Sequence, residues 1–271
     1  MKLKAKLNSA LEATPSAEAL ASRPRRALAA SAALAVAAAL AAMALALAAP
    51  LTRTAAAAVE TGSSAKPQLL LFHGGAFLFD DPSLQRLTER RAIAAGFVPH
   101  YVDYPLGDLA GAVAVAEAEA RRLGEEFGVD HVYAYGFSAG GTLAALLSGS
   151  GLVAAAVAKA PPTDLSTWKW PTETYAHYDE RIGADPEELR RLSPTLLPAQ
   201  NPLLIYQGRG DRVVPPAMNE AFAAKYPRVH FWSVPGGHWT DRIRPYLISN
   251  ALEWLGRVAG RRMAAAAAPT P

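Results

Sequence analysis

The chain predicts an α/β fold, a mostly parallel sheet of about six strands flanked by helices. Two observations carry this. Short apolar runs recur from residue 68 to residue 234, and stretches of helical length separate them. Strands alternating with helices imply right-handed βαβ crossovers, hence a parallel sheet. In such a sheet the loops that follow the strands all open at one end, and several of these loops are rich in glycine.

The first strand is Gln68–Phe72, which runs into His73-Gly74-Gly75-Ala76-Phe77. A helical stretch at Leu84–Ala95 leads to a second strand at Phe97–Val102, and the long alanine-rich, amphipathic stretch Leu109–Phe127 leads to a third at His131–Tyr135. Helix Ala139–Leu147 and strand Leu152–Lys159 follow. Between Pro161 and Pro202 the alternation breaks. This excursion, about 163–200, reads as a small cap insertion, with an aromatic cluster of Trp168, Trp170, Tyr175 and Tyr178. Within it Asp185-Pro186-Glu187-Glu188 marks a helix start, with Asp as N-cap, Pro at the first helical position and Glu at the third. Strand Leu203–Gln207, helix Met218–Lys225, strand Val229–Val234 and helix Asp241–Val258 complete the series, and Ala264–Pro271 reads as a disordered tail. The folded domain is expected over 59–263, a core of about 200 residues, enough to bury roughly 70% of its unfolded surface.

Residues 1–58 follow another logic. After Arg23-Pro24-Arg25-Arg26, the run Ala27–Ala49 carries no charge, and about 20 apolar residues suffice to cross a bilayer. It reads as a signal peptide, with Ala46-Leu47-Ala48 or Ala55-Ala56-Ala57 as cleavage sites, or as an uncleaved anchor giving membrane contact through residues 27–49. Arginines ahead of the run favour a cytoplasmic N-terminus, so both readings place the folded domain outside, secreted, periplasmic or tethered. Alanine is only weakly apolar, and the competing reading is a low-complexity soluble helical tail. The net charge of +3 divides into +5 for residues 1–58 and −2 for the remainder. No basic tract interleaved with aromatics is present, so nucleic acid is not an expected partner. Cysteine is absent, which excludes disulfides and thiolate chemistry. Oligomeric state has no signal in the sequence.

The chemistry centres on Gly136-Phe137-Ser138-Ala139-Gly140, a G-x-S-x-G string between a strand-like and a helix-like run. A nucleophile on a sharp strand-to-helix turn needs glycines around it because the crowded backbone leaves no room for a Cβ, and the helix then aims free N–H groups at the reacting carbonyl. By itself the string is also compatible with a plain tight turn. Its company distinguishes it: Asp211 lies 73 residues on, in Gly210-Asp211-Arg212-Val213-Val214-Pro215, and His238 a further 27, in Gly236-Gly237-His238-Trp239. These intervals suit acid and base on loops at the same end of a parallel sheet.

On these motifs the stretch from about Gln68 to Leu255 resembles an α/β-hydrolase of the serine esterase kind. HGGAF and GFSAGG are similar to motifs of hormone-sensitive-lipase-like esterases, and Pro202–Gly208 followed by Asp211–Pro215 resembles the acid loop of prolyl-oligopeptidase-type enzymes. Phe137 and Ala76 depart from the usual Asp and Gly of the esterase motifs. The chain order Ser, Asp, His is that of the family. The resemblance also leads one to expect an antiparallel hairpin before the first strand, but too few ordinary residues separate Val59 from Gln68 to make it.

Ser138 is therefore the expected nucleophile, His238 the base and Asp211 the acid. Rival acids are Asp164, after the strand that follows the nucleophile helix, and Asp241, better placed to cap the last helix; His73, His100, His131, His177 and His230 suit structural roles better. The oxyanion donors implied by the resemblance are the N–H groups of Gly75, Ala76 and Ala139. Phe77, Trp168, Trp170, Tyr175 and Trp239 are candidate substrate-binding side chains, although the cap aromatics equally suit burial of a short cap against the core. No metal-ligand spacing, phosphate loop or dinucleotide fingerprint is present, so neither metal nor cofactor is expected. The expected activity is cleavage of small to medium acyl esters through an acyl-enzyme. A peptidase, weakened by the lack of room for a propeller domain, an acyltransferase and a catalytically silent scaffold are the alternatives.

Overall fold

Burial decides which apolar runs become central strands. The computed structural model describes residues 66–81, 84–169, 178–197 and 199–266, all within one compact unit. It contains β1 (Gln68–Phe72), α1 (Gln85–Ala94), β2 (Val98–Tyr101), α2 (Leu109–Phe127), β3 (Val132–Phe137), α3 (Ala139–Gly149) and β4 (Ala155–Lys159). The short α4 (Tyr178–Arg181) and α5 (Pro186–Arg191) follow, then β5 (Leu203–Gly208), α6 (Pro216–Lys225), β6 (Val229–Val234) and α7 (Tyr246–Ala266). The strands lie in the order β2-β1-β3-β4-β5-β6, every pair parallel. β1, β3, β4 and β5 are buried throughout and read as continuous apolar runs, as parallel strands covered on both faces must. The edge strands β2 and β6 are partly open.

The chain starts next to the middle of the sheet, steps outward to β2, then returns past β1 to β3 and continues to β6. Right-handed crossovers in opposite directions place helices on opposite faces. Ala92 of α1 and Leu247, Ile248, Ala251, Leu252 and Leu255 of α7 pack with Tyr133, Tyr135, Val157 and Tyr206 on one face. On the other, α2, α3 and α6 pack through Leu109, Ala116, Leu123, Leu143, Leu147 and Phe222. The described parts of the excursion after β4 join this second layer through Tyr178, Ile182, Leu189 and Leu192. The Asp185 side chain accepts the N–H of Glu188 at 2.8 Å with Pro186 at the first position of α5, and Asp108 caps α2 through Gly111 N at 2.8 Å.

Some elements differ from the sequence expectation. The helix expected over Asp241–Val258 divides into a 3₁₀ turn at Thr240–Arg242 and α7. Pro245 is the reason: its ring disfavours helical backbone at Arg244 and removes a donor. α7 then runs to Ala266, three residues into the expected tail, because alanine is the best helix former. β4 starts at Ala155 rather than Leu152, after the left-handed turn at Gly151 (φ 74°). The run Ala27–Ala49 and residues 267–271 lie outside the described residues; among the described residues no helix is long and apolar enough to cross a membrane.

α3 is buried along its whole length and lies directly against the strands. A Cβ at Gly140 would sit 2.3 Å from His73 O and 2.5 Å from Phe72 O, whereas one at Gly256, in the middle of α7, meets nothing within 4 Å. Gly140→Ala is therefore expected to lower unfolding free energy by at least about 2 kcal/mol, since the backbone carbonyls it meets cannot yield. Gly256→Ala should raise it by about 0.5–1 kcal/mol. Urea denaturation midpoints check both signs.

Candidate active site

Ser138 follows β3 with φ 53° and ψ −116°, a region L-residues rarely occupy. Such a residue costs of the order of 1–3 kcal/mol and persists only where its surroundings over-determine it. Here Ser138 N–H donates to Lys159 O at 2.8 Å, and Ser138 O accepts from Thr142 N at 3.1 Å. A Cβ at Gly136 would lie 1.9 Å from Gly140 O, so the turn closes only with glycine there. Asp211 follows β5 and His238 follows β6, as the parallel sheet requires for loops that converge at its carboxyl end. These last two loops also interlock: a Cβ at Gly208 would lie 2.4 Å from Gly236 O.

The three side chains are brought into line. His238 Nε2 is 3.0 Å from Ser138 Oγ, and His238 Nδ1 is 2.8 Å from Asp211 Oδ2. All three are buried. Asp211 Oδ1 accepts the N–H groups of Val213 (2.8 Å) and Val214 (3.0 Å), while Gln207 Nε2 donates to Oδ2 at 3.1 Å. Burial alone would raise the pKa of Asp211, but the hydrogen bond and charge of His238, with the two backbone N–H groups, hold it below the usual carboxylate value. Burial is the largest influence on His238 and takes its pKa below 6.5. The Asp211 hydrogen bond opposes this, and the nearby charge of Lys159 reinforces it. The site thus holds an ionised Asp211 and a neutral His238 whose Nδ1–H faces the carboxylate and whose Nε2 lone pair faces the serine hydroxyl.

Upstream, the loop after β1 is locked in left-handed backbone at Gly75 (φ 119°), Ala76 (φ 55°) and Phe77 (φ 60°). Its carbonyls are all engaged: Gly75 O accepts from Leu78 N and Phe79 N at 2.9 and 3.1 Å, Ala76 O from Tyr178 Oη at 3.0 Å, and Phe77 O from Gly107 N at 2.7 Å. In a trans peptide the N–H points opposite the preceding C=O, so tying Gly75 O fixes the direction of Ala76 N–H. Ala139 is the first residue of α3, and its N–H has no acceptor within the helix. His73 braces the loop. Its ring stacks on Tyr104 at 4.1 Å, and the Tyr104 hydroxyl donates to His73 O at 2.9 Å.

The candidate substrate-binding aromatics separate. Phe77 is wholly buried beside Tyr104, so it packs the loop and does not line an opening. Trp168 is likewise buried, donating Nε1–H to Val213 O at 2.9 Å and meeting Tyr178 edge to face; it supports the acid loop. Trp170 and Tyr175 lie outside the described residues, as does His177. Trp239 is 43% exposed, with its ring 5.0 Å from that of His238. It shares an open cleft with Phe79, Asp80, Asp81 and Arg242.

The rival residues serve the structure. Asp164 Oδ1 accepts from Ser166 N and Thr167 N, closing a turn. Asp241 is buried beneath the site, its Oδ2 accepting from Tyr206 Oη at 2.9 Å, and burial raises its pKa. His100 bonds Gln68, and His230 packs edge-on against Trp254. Sequence reasoning missed a polar chain behind the acid: Gln207 Nε2 also donates to Val214 O (2.6 Å), Gln207 Oε1 accepts from Asn219 Nδ2 (2.8 Å), and Asn219 Oδ1 accepts from Thr163 Oγ1 (2.7 Å). It also missed Lys159. In both cases a polar residue near the end of an otherwise apolar strand was the available signal. Among the described residues no cluster of three His, Cys, Asp or Glu could hold a metal ion.

Residues 110–260 match the model of the prolyl oligopeptidase family, a span that contains Ser138, Asp211 and His238. Among solved structures, esterase 2 of Thermogutta terrifontis phosphoramylated by tabun superposes with a TM-score of 0.60 at 23% identity, covering 71% of this chain and 83% of that one. The butyrate-bound form of the Thermogutta terrifontis enzyme gives a TM-score of 0.57 at 22% identity, with 76% and 86% covered. An esterase/lipase from an uncultured bacterium gives 0.60 at 22% identity, with 74% and 78% covered. No curated protein matches the chain at comparable significance. At these identities the solved structures establish the fold.

Because His238 acts only when neutral and its pKa lies below 6.5, kcat/KM is expected to rise with pH along an acid limb centred below pH 6.5. Asp211→Asn should lower turnover by about 10⁴-fold by favouring the wrong tautomer. Asp164→Asn should leave it unchanged. Steady-state pH profiles of the three proteins check this.

Proposed function

The chain belongs to the prolyl oligopeptidase family, and we propose that its serine-hydrolase triad cleaves carboxylic esters of small to medium acyl groups. The observation that carries the reading is the continuous relay from Asp211 Oδ2 through His238 to Ser138 Oγ, with links of 2.8 and 3.0 Å. Ser138 Oγ attacks the ester carbonyl carbon while His238 Nε2 takes the hydroxyl proton, and Asp211 stabilises the imidazolium. The tetrahedral oxyanion is received by the N–H groups of Ala139 and of the Gly75-Ala76 turn. Its collapse breaks the bond to the leaving alcohol, which departs with the proton from His238. Water, deprotonated by the same imidazole, then hydrolyses the acyl-Ser138 ester.

The esterase character of the structural relatives supports ester over amide substrates, and exposed Trp239 beside His238 is the described aromatic best placed to meet substrate. A fluorophosphonate probe is expected to label the wild type and not Ser138→Ala. A panel of p-nitrophenyl esters of increasing acyl length, run beside peptide amides, should show ester turnover that falls off with long chains. Faster turnover of the amides would replace this reading with a peptidase, and a folded protein that the probe never labels would replace it with a scaffold.

We infer also that the domain works outside the cytoplasm, on the strength of the uncharged run Ala27–Ala49 behind an arginine cluster. Expression of the full chain followed by fractionation and N-terminal sequencing checks this. A mature start after Ala48 or Ala57 marks a signal peptide, an intact membrane-bound chain marks an anchor, and an intact soluble cytoplasmic chain refutes both.

A further inference from the structure

Lys159 takes no part in the proton relay, yet it is wholly buried at the carboxyl end of β4. Its main-chain O accepts the Ser138 N–H at 2.8 Å, and its Nζ donates to the main-chain carbonyl of His238. One residue therefore touches the backbones of both nucleophile and base, which sit on loops separated by two intervening strands. The ammonium also lies 4.7 Å from the centroid of the Phe137 ring, next to the nucleophile. Close by is Asp241, whose Oδ2 accepts from Tyr206, itself hydrogen-bonded to Tyr135; among the described residues Asp241 Oδ1 has no hydrogen-bond partner.

Stability alone does not account for such a group. Taking an ammonium and a carboxyl out of water costs several kcal/mol each, and well-packed apolar side chains in their place are often as stable or more so. What an apolar residue would lack is the donor to His238 O. We propose that Lys159 is a positioning residue for catalysis, tying the nucleophile turn to the base loop and so holding the Ser138 Oγ to His238 Nε2 contact at 3.0 Å. This rests on Ser138 and His238 as nucleophile and base and not on the choice of ester substrate. A displacement of about 1 Å at a reacting pair can cost about 10²-fold in rate, so a tie between the two main chains has direct kinetic value.

The charge has a second effect. His238 faces Asp211 from the loop after β5, Asp81 from the loop after β1 and Lys159 from β4, while Asp241 and Arg242 belong to its own loop. Burial lowers the pKa of His238, Lys159 acts in the same direction, and Asp211 and Asp81 oppose them. Loss of the Lys159 charge therefore raises the His238 pKa and moves the acid limb to higher pH.

The test compares Lys159→Met, Lys159→Arg and the double variant Lys159→Met/Asp241→Asn with wild type. Folding is followed by circular dichroism, the reactivity of Ser138 by the rate of fluorophosphonate labelling, and turnover by p-nitrophenyl butyrate at several pH values. Lys159→Met is expected to label and turn over about 10–100-fold more slowly with KM within about twofold, its acid limb displaced upward. Lys159→Arg, which keeps a donor and a charge, should recover most of the rate and the wild-type limb. If Lys159→Met does not fold, the double variant, which leaves no buried charge unpaired, decides: slow labelling supports the proposal. A folded Lys159→Met or double variant with wild-type labelling rate and pH profile overturns it, and so does a failure of all three variants to fold, which would make Lys159 a stability residue. Labelling needs no ester preference, so a wild type that labels but hydrolyses no ester refutes the substrate reading while the labelling rates still judge Lys159.

Discussion

A serine held at φ 53° between a strand and a helix is the constraint from which the rest of this active site follows. The turn projects the hydroxyl above the sheet, but only if backbone closes around it on every side. Gly136 admits the carbonyl of Gly140, and Gly140 admits the carbonyls of Phe72 and His73. The loop after β1 is thereby pressed against the start of α3. The alanine-rich, fully buried character of α3 has the same origin: a helix this close to the strands has no space for large side chains near its start.

The electrostatic design is built beneath that turn. Ser138, His238 and Asp211 have almost no contact with water, which strengthens every charge interaction among them and makes any unpaired polar atom costly. Asp211 is accordingly surrounded by donors, and Gln207, Asn219 and Thr163 extend the bonding to α6 and the segment after β4. Trp168 closes the arrangement from outside by accepting a role that looks like substrate binding in the sequence: its indole N–H holds the carbonyl of Val213, whose own N–H holds the acid.

Much of this was legible from residue order. Strand runs, the G-x-S-x-G turn and the spacing of Asp211 and His238 depend on short-range pattern and on the geometry of a parallel sheet, and these survive without coordinates. The Asp185-Pro186 helix start was readable for the same reason, since a cap involves neighbours three residues apart. Contacts between distant side chains were not. Nothing in the string Ala155-Ala156-Val157-Ala158-Lys159 says that the lysine turns inward to a carbonyl 79 residues later. Phe77 in the glycine-rich turn after β1 could equally have faced substrate or core, and a left-handed backbone at that residue, invisible in sequence, sends its ring inward. The start of the last helix failed for a local reason: Pro245 outweighed the N-cap signal of Asp241.

Two carboxyl groups lie within the reach of the base region, and their environments divide their roles. Asp241 is only three positions from His238 in the chain, yet it is Asp211 that meets the imidazole. The difference lies in donors. Asp211 receives His238, Gln207 and the backbone N–H groups of Val213 and Val214, enough to hold it ionised although buried. Asp241 receives one tyrosine hydroxyl, and burial takes its pKa upward. A carboxyl that must stabilise an imidazolium has to be an anion before the proton arrives, and only the first environment meets that condition. In the second, the charge of Lys159 opposes the effect of burial. The charge of Asp241 there depends on the lysine, just as the lysine, itself lowered by burial and supported by Asp241 and Asp211, depends on the carboxyls around it. The donors around each carboxyl, and the imidazole that Asp211 alone meets, therefore assign the acid more firmly than proximity in sequence does.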